Sequence, residues 1–183
     1  SVSLEGYSAD TSSHESSHIL NIVQVVFMMS SRDNFFKKFP AGSFVPFSSL
    51  ISEDVALKTR KVSLLQNMFG LSKGSYLLVE NYCVDEDCDC RKVMINVVDM
   101  DKNIILGTIG FGWELPKYYI EWMYGDEKAG KALAGAYIEL GGIQNGLENE
   151  CLELVKNSLH DSNYIELIKG RYKIFKNLIR NLS

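Results

Sequence analysis

The sequence predicts an α+β fold, in which an antiparallel β-meander of about three strands or more packs against helices. Three segments in the middle of the chain, 75–83, 91–99 and 104–111, are rich in β-branched and aromatic residues and are joined by short connections. Strands that follow one another in this way usually pair as antiparallel neighbours. After residue 113 the apolar residues recur at helical spacing, so the C-terminal half is predicted to be all helical.

The chain before the meander is predicted to contain an arm, one apolar element and one helix. Residues 1–17 are rich in serine and offer little apolar surface, which predicts a flexible N-terminal arm. Residues 18–183 are then expected to form a single α+β domain. Segment 19–29 is apolar and fits either a strand or a helix. A helix capped by Ser52 is predicted to end at Gly70. Its repeating face consists of Val55, Thr59, Val62, Leu65 and Phe69.

Three helices are predicted after the meander. Asp126 is a suitable N-cap for the first, and Gly141 is a natural terminator. The shared face of this helix consists of Ala129, Leu133, Ala136, Tyr137 and Leu140. The second helix has its apolar face at Leu147, Cys151, Leu154 and Val155. The third is capped by Ser162, and its apolar residues recur every three or four positions as far as Leu182.

Composition argues against two classes of partner. The formal net charge is −4, whereas a nucleic-acid-binding domain needs a basic face, so no nucleic acid is expected. A basic stretch near the C-terminus is interpreted as a solvated helix face. The sequence contains no apolar run of the length that spans a bilayer, so no membrane partner is expected either. Clustered cysteines favour a reducing compartment, which predicts a cytoplasmic protein. A protein is the partner class that these arguments leave, and the sequence does not specify the oligomeric state.

A dense cysteine cluster is the strongest chemical signal in the sequence. Cys83, Cys88 and Cys90 lie within eight residues, on the connection between the first two predicted strands. Closing this hairpin brings Cys83 and Cys90 together, and Cys88 on the turn can fold inward. Three thiolates that converge in this way are typical ligands of zinc in a structural site, which needs four donors. Candidate fourth ligands are Cys151, His160, a carboxylate of the loop, or His14 or His18 from the arm.

The same loop is strongly acidic. Its carboxylates are Asp85, Glu86, Asp87 and Asp89. Without a cation, their repulsion is expected to raise the pKa of the thiols, and a divalent cation would relieve it. Two metal-free interpretations remain: a disulfide between Cys83 and Cys90, or reduced and inert thiols.

The residues around the cluster resemble a family of uncharacterised bacterial proteins. The run from Tyr82 to Val93 matches the signature YC-x4-CDCR-R/K-V, and a Gly-Phe-Gly-Trp-Glu strand end follows it at 110–114. The resemblance covers residues 75–115 and, more faintly, the C-terminal helix. Some proteins of this group occur near, or joined to, small SEC-C-type zinc-binding motifs. The resemblance therefore implies a structural metal site and no particular reaction. This chain lacks the CxCGS pattern of SEC-C itself.

These observations favour a non-enzymatic binding or adaptor domain whose cysteine-rich hairpin holds a structural zinc ion through Cys83, Cys88 and Cys90. One alternative is a metal-dependent, hydrolase-like enzyme with an open metal position, assisted by Glu80, Asp85 or Asp89. Another is a metal-free domain whose acidic hairpin recognises a basic protein. The glycines at 107, 110 and 112 are interpreted as sites of close packing rather than as a phosphate loop.

Overall fold

A computed structural model describes residues 35–36, 38–50 and 59–182. The described residues between 39 and 181 form one compact unit. The predicted arm at 1–17 and the apolar segment at 19–29 lie outside the described residues. The single domain predicted over 18–183 therefore stays a prediction.

The described chain has an α+β fold with one six-stranded antiparallel sheet. Its strands are β1 (Phe44–Pro46), β2 (Arg60–Leu64), β3 (Gly74–Cys83), β4 (Lys92–Asp99), β5 (Ile104–Gly112) and β6 (Gly135–Ile138). The strand order is β1-β3-β4-β5-β6, and β2 also pairs with β3. β1 pairs with the end of β3 and β2 with its beginning, so these two short strands share one edge of the longest strand. A short 3₁₀-helix, Phe47–Ser49, follows β1.

The central meander β3-β4-β5 confirms the sequence prediction to within one residue at each boundary. Along β4, buried and half-buried side chains alternate, and Val93, Ile95 and Val97 point into the core. This period of two is expected of a strand that buries one face. β5 is buried along most of its length because helices cover it as well.

Four α-helices lie in the C-terminal part of the described chain: α1 (Pro116–Trp122), α2 (Glu127–Leu133), α3 (Glu148–Ser158) and α4 (Ser162–Leu182). α1 begins with Pro116, which is suited to the first turn of a helix, and Asp126 caps α2 by accepting a hydrogen bond from the Ala129 amide at 2.9 Å. α4 packs across β3, where the Tyr82 and Phe175 ring centroids lie 5.5 Å apart. None of these helices combines the length and the apolar character that crossing a membrane requires.

The helix predicted between Ser52 and Gly70 is wrong over residues 60–64, which form strand β2. Residues 51–58 lie outside the described part. Val62 and Leu64 also fit an alternation of two, and β2 pairs with residues 74–78 of β3. Five residues are too few for periodicity to distinguish a helix from a strand. The segment forms a strand because the edge of β3 offers backbone groups with which it can pair. Leu65, which belongs to the repeating face of the predicted helix, is 86% exposed.

The prediction that the C-terminal half is all helical is also wrong, because α2 ends at Leu133 and the chain then forms strand β6. Gly135 has φ +80°, a conformation that glycine adopts without strain, and it turns the chain from the helix into the strand. β6 then pairs with the end of β5, so Ala136 and Tyr137 lie in the sheet rather than on a helix face. The helices α3 and α4 confirm the rest of the prediction.

Three glycines of β5 confirm the prediction of close packing. A Cβ built on Gly110 would lie 2.3 Å from the Tyr137 ring, and one on Gly112 would lie 2.2 Å from the Leu133 carbonyl oxygen. At Gly107 a Cβ would contact the Cys151 sulfur at 3.4 Å. The missing side chains let β6, α2 and α3 approach β5 closely.

We expect Gly112→Ala to lower the free energy of unfolding by about 3 kcal/mol, because its methyl group collides with backbone that cannot move aside. Gly170→Ala is the matched control, since a Cβ there meets nothing within 4 Å and the residue lies inside α4. Alanine is the better helix former, so this control should gain up to about 1 kcal/mol. Urea unfolding followed by circular dichroism measures both. Equal effects of the two substitutions would contradict the packing argument.

Candidate metal centre

The three clustered cysteines converge on one point. The sulfur atoms of Cys83, Cys88 and Cys90 all lie within 4.8 Å of one another. Cys83 is the last residue of β3, and Cys88 and Cys90 lie on the connection to β4. All four cysteines of the chain are free thiols, so the disulfide between Cys83 and Cys90 is not formed.

The spacing of the sulfurs suits a tetrahedral thiolate site. With a Zn–S bond of about 2.3 Å, two ligands of one tetrahedron lie roughly 3.8 Å apart. Cys83 and Cys90 are buried, and Cys88 is half-buried at the outer side of the group. Small side-chain rotations therefore suffice to bring the three sulfurs onto one ion.

Hydrogen bonds from two helices hold the loop that carries these cysteines. From α1, the Tyr118 hydroxyl donates to the Asp89 carbonyl, and the Tyr119 hydroxyl donates to the Arg91 carbonyl at 2.7 Å. These two bonds lie on either side of Cys90. From α4, the Lys176 ammonium group donates to the Asp85 carbonyl. Because each bond is made to backbone, the path of the loop is determined before any ligand binds.

The Arg91 backbone marks the point where the loop turns into β4. Arg91 has φ +43°, in the left-handed region that non-glycine residues rarely adopt. Its guanidinium group lies 4.6 Å from the Tyr118 ring centroid and pairs with Asp89 at 3.0 Å and with Glu114 at 3.2 Å. These contacts compensate for the unfavourable backbone angle and keep the Cys90 side chain directed inward.

The thiols differ in their tendency to lose a proton. Hydrogen bonds from the thiols of Cys88 and Cys90 lower the pKa of Cys83, and the positive charge of Lys176 acts in the same direction. The hydrogen bonds of Cys90 with Cys83 and with Cys88 raise the pKa of Cys90, and burial acts in the same direction. The expectation that loop carboxylates raise the pKa of every thiol is therefore wrong for Cys83. For Cys83 the hydrogen bonds of the neighbouring thiols have the largest effect on the pKa, and the charge of Lys176 adds to it.

Within the residues that the structure describes, no fourth Cys, His, Asp or Glu brings a ligand atom into the same group. Cys151 lies in α3 against Gly107, where burial raises the pKa of its thiol to about 12. His160 is exposed at the end of α3. His14 and His18, the other histidines considered as ligands, lie outside the described residues.

Glu80 lies in the core and not at the metal loop. It is 3% exposed and forms a buried ion pair with Arg171 of α4. Burial raises the pKa of the Glu80 carboxyl, and the Arg171 guanidinium opposes that shift. Glu80 therefore joins α4 to β3 and has no direct contact with the cysteine group that the described residues reveal.

We expect Arg171→Met to lower the free energy of unfolding by about 3–5 kcal/mol, because it leaves a buried carboxylate without its cation. The double substitution Glu80→Met and Arg171→Met should recover most of this loss, since two apolar side chains of similar length remove the unpaired charge as well. Urea unfolding curves of the two variants provide the comparison. Lys169→Met, a more exposed cation on the same helix, serves as the control and should change stability little. A double variant no more stable than Arg171→Met would contradict the ion-pair argument.

Comparison of the chain with protein-family models, with curated proteins and with solved structures gave no match. Its function must therefore be argued from the chemistry of the site.

Sequence reasoning found the three thiols but missed the residues that position them. Tyr118 and Tyr119 lie in the stretch after residue 113 that is predicted only to be helical, and Lys176 lies in the C-terminal basic stretch that is interpreted as a solvated helix face. Lys176 is in fact only 3% exposed. A usable signal was its position: it follows Tyr172 by four residues and directly follows the buried Phe175, close to the apolar stripe of α4.

Proposed function

We propose that this chain is a binding or adaptor domain whose cysteine hairpin holds a structural zinc ion. The observation that carries the proposal is the convergence of the three sulfurs within 4.8 Å on a loop whose backbone is already held in place. Cys83, Cys88 and Cys90 are the proposed ligands. The resemblance to the YC-x4-CDCR-R/K-V proteins, some of which occur with zinc-binding motifs, supports the same assignment.

The donor set favours zinc over harder cations. Thiolates are soft ligands that suit zinc, whereas magnesium and calcium need oxygen ligands. Three thiolates around a divalent cation leave one net negative charge, and the buried ammonium group of Lys176 lies close enough to offset it. The fourth position is left to a water molecule or to a histidine such as His14 or His18.

A structural role is supported by what surrounds the loop. A concave cleft of about 620 Å³ lies beside it, and none of the three cysteines lines that cleft. Of the carboxylates considered as assistants in hydrolysis, Glu80 is paired with Arg171 and Asp89 with Arg91. The ion is thus proposed to fix the hairpin, and the cleft beside the hairpin is proposed as the binding surface.

We expect the protein, purified without added zinc, to contain close to one zinc ion per chain by elemental analysis. Cys83→Ser and Cys90→Ser should each lose most of it and lower the melting temperature, because metal binding and loop order are coupled. Cys151→Ser is the matched control: it removes a buried thiol outside the group and should retain the metal. Protein without metal, together with cluster variants as stable as the parent, would reject the proposal.

Lys176→Met should weaken zinc binding by about 10- to 100-fold, the usual effect of removing a group that orients and electrostatically supports metal ligands. Competition with a chromophoric chelator measures this affinity. Lys173→Met is the control, because Lys173 lies on the same helix but makes no hydrogen bond to the loop among those that the structure describes. Equal affinities of the two variants would show that Lys176 has no part in the metal site.

A further inference from the structure

The cleft beside the cysteine loop is lined mainly by cations. Five of its lining residues are basic: Arg91, Lys169, Lys173, Lys176 and Arg180. Only two carboxylates, Asp89 and Glu114, line it as well. Four of the basic residues lie on α4 at successive intervals of four, three and four, so they form one stripe along the helix. This stripe lines the cleft: Lys173 and Arg180 are exposed to solvent, as the sequence predicts, whereas Lys176 is buried.

The carboxylates of the cleft do not neutralise this stripe. Asp89 and Glu114 both pair with Arg91. Lys169 pairs with Glu166 outside the cleft, and Lys176 is directed to the cysteine loop. Lys173 and Arg180 form no ion pair with any residue that the structure describes. Positive charge in a concave surface attracts anions more strongly than the same charge on a convex one.

The cleft also offers aromatic surface. Trp113 and Tyr172 both line it, with their ring centroids 5.1 Å apart in an edge-to-face arrangement. Trp113 is half-buried, so part of its indole ring remains accessible. A volume of about 620 Å³ is in the range of sites for small organic ligands. The basic side chains can form charge-assisted hydrogen bonds with two or more phosphate oxygens. The indole ring can pack against a flat ring attached to the phosphate groups.

We propose that this cleft binds a small phosphorylated ligand that carries a flat ring, of the mononucleotide class. Lys173 and Arg180 hold the phosphate groups, and Trp113 contacts the ring. The proposal deepens the proposed function, because it names the ligand class of the binding domain. The cysteine loop contributes Asp89 and Arg91 to the lining of the cleft.

The test uses the full chain with its metal content measured on the same sample. Isothermal titration calorimetry compares ADP, pyrophosphate, adenosine and citrate as probes. Because three of these probes bind zinc themselves, the zinc content of the protein is measured again after each titration. A Trp122→Phe background leaves Trp113 as the single tryptophan, so its fluorescence reports contact with the ring. We expect ADP to bind more tightly than pyrophosphate, citrate or adenosine and to quench Trp113.

Two charge variants complete the test. Lys173→Ala combined with Arg180→Ala should weaken ADP binding at least tenfold while the zinc content stays unchanged. Lys128→Ala is the control, since Lys128 is an exposed cation that does not line the cleft, and it should leave binding within twofold of the parent. Measuring both zinc content and ADP binding separates the two proposals. A parent protein that contains zinc but does not bind ADP contradicts the cleft proposal alone, and the zinc proposal stands.

Three results would overturn the proposal. The first is no binding of ADP at millimolar concentration. The second is equal weakening by the Lys128 and the Lys173–Arg180 variants, which indicates non-specific attraction by charge. The third is pyrophosphate or citrate binding as tightly as ADP with no response of Trp113, which leaves an anion site without a ring and excludes the nucleotide class.

Discussion

The organisation of this protein depends on how the connection between β3 and β4 is held. This connection must place three sulfur atoms toward one point while it carries four carboxylates. Hydrogen bonds from side chains of two helices to its backbone carbonyls meet that requirement, two from α1 and one from α4. These three bonds do not use the cysteine side chains, which are all free thiols.

Helix α4 serves the fold and the cleft with different faces. Ile168, Phe175 and Ile179 are fully buried against the sheet, and Arg171 reaches into the same interior to pair with Glu80. The stripe that begins at Lys169 faces the cleft instead. Because both faces belong to one rigid helix, packing against β3 also determines where the cationic wall lies.

The sequence was a good guide to the meander and to the thiols, but a poor one for short elements. β3, β4 and β5 are long enough for alternation and turn residues to agree, and their cysteine connection followed from them. The predictions for β2 and β6 were wrong because each segment has five residues or fewer, and its apolar residues fit the helical period as well as the strand period. Pairing with an exposed edge of β3 or β5 makes each segment a strand. Tyr118, Tyr119 and Lys176 could not be assigned, since their partners lie 28 to 91 residues away along the chain.

Lys176 lies between the two proposed sites. Its ammonium group donates to the Asp85 carbonyl, favours the charged form of Cys83, and also lines the cleft. Three thiolates around a divalent cation leave one net negative charge, which is the charge that a single ionised Cys83 carries without metal. Lys176 therefore faces about the same charge in both states, and the positive potential that it contributes to the cleft does not depend on metal binding. A link between the metal and the cleft must instead run through the loop residues Asp89 and Arg91, which line the cleft and are ordered together with the cysteines.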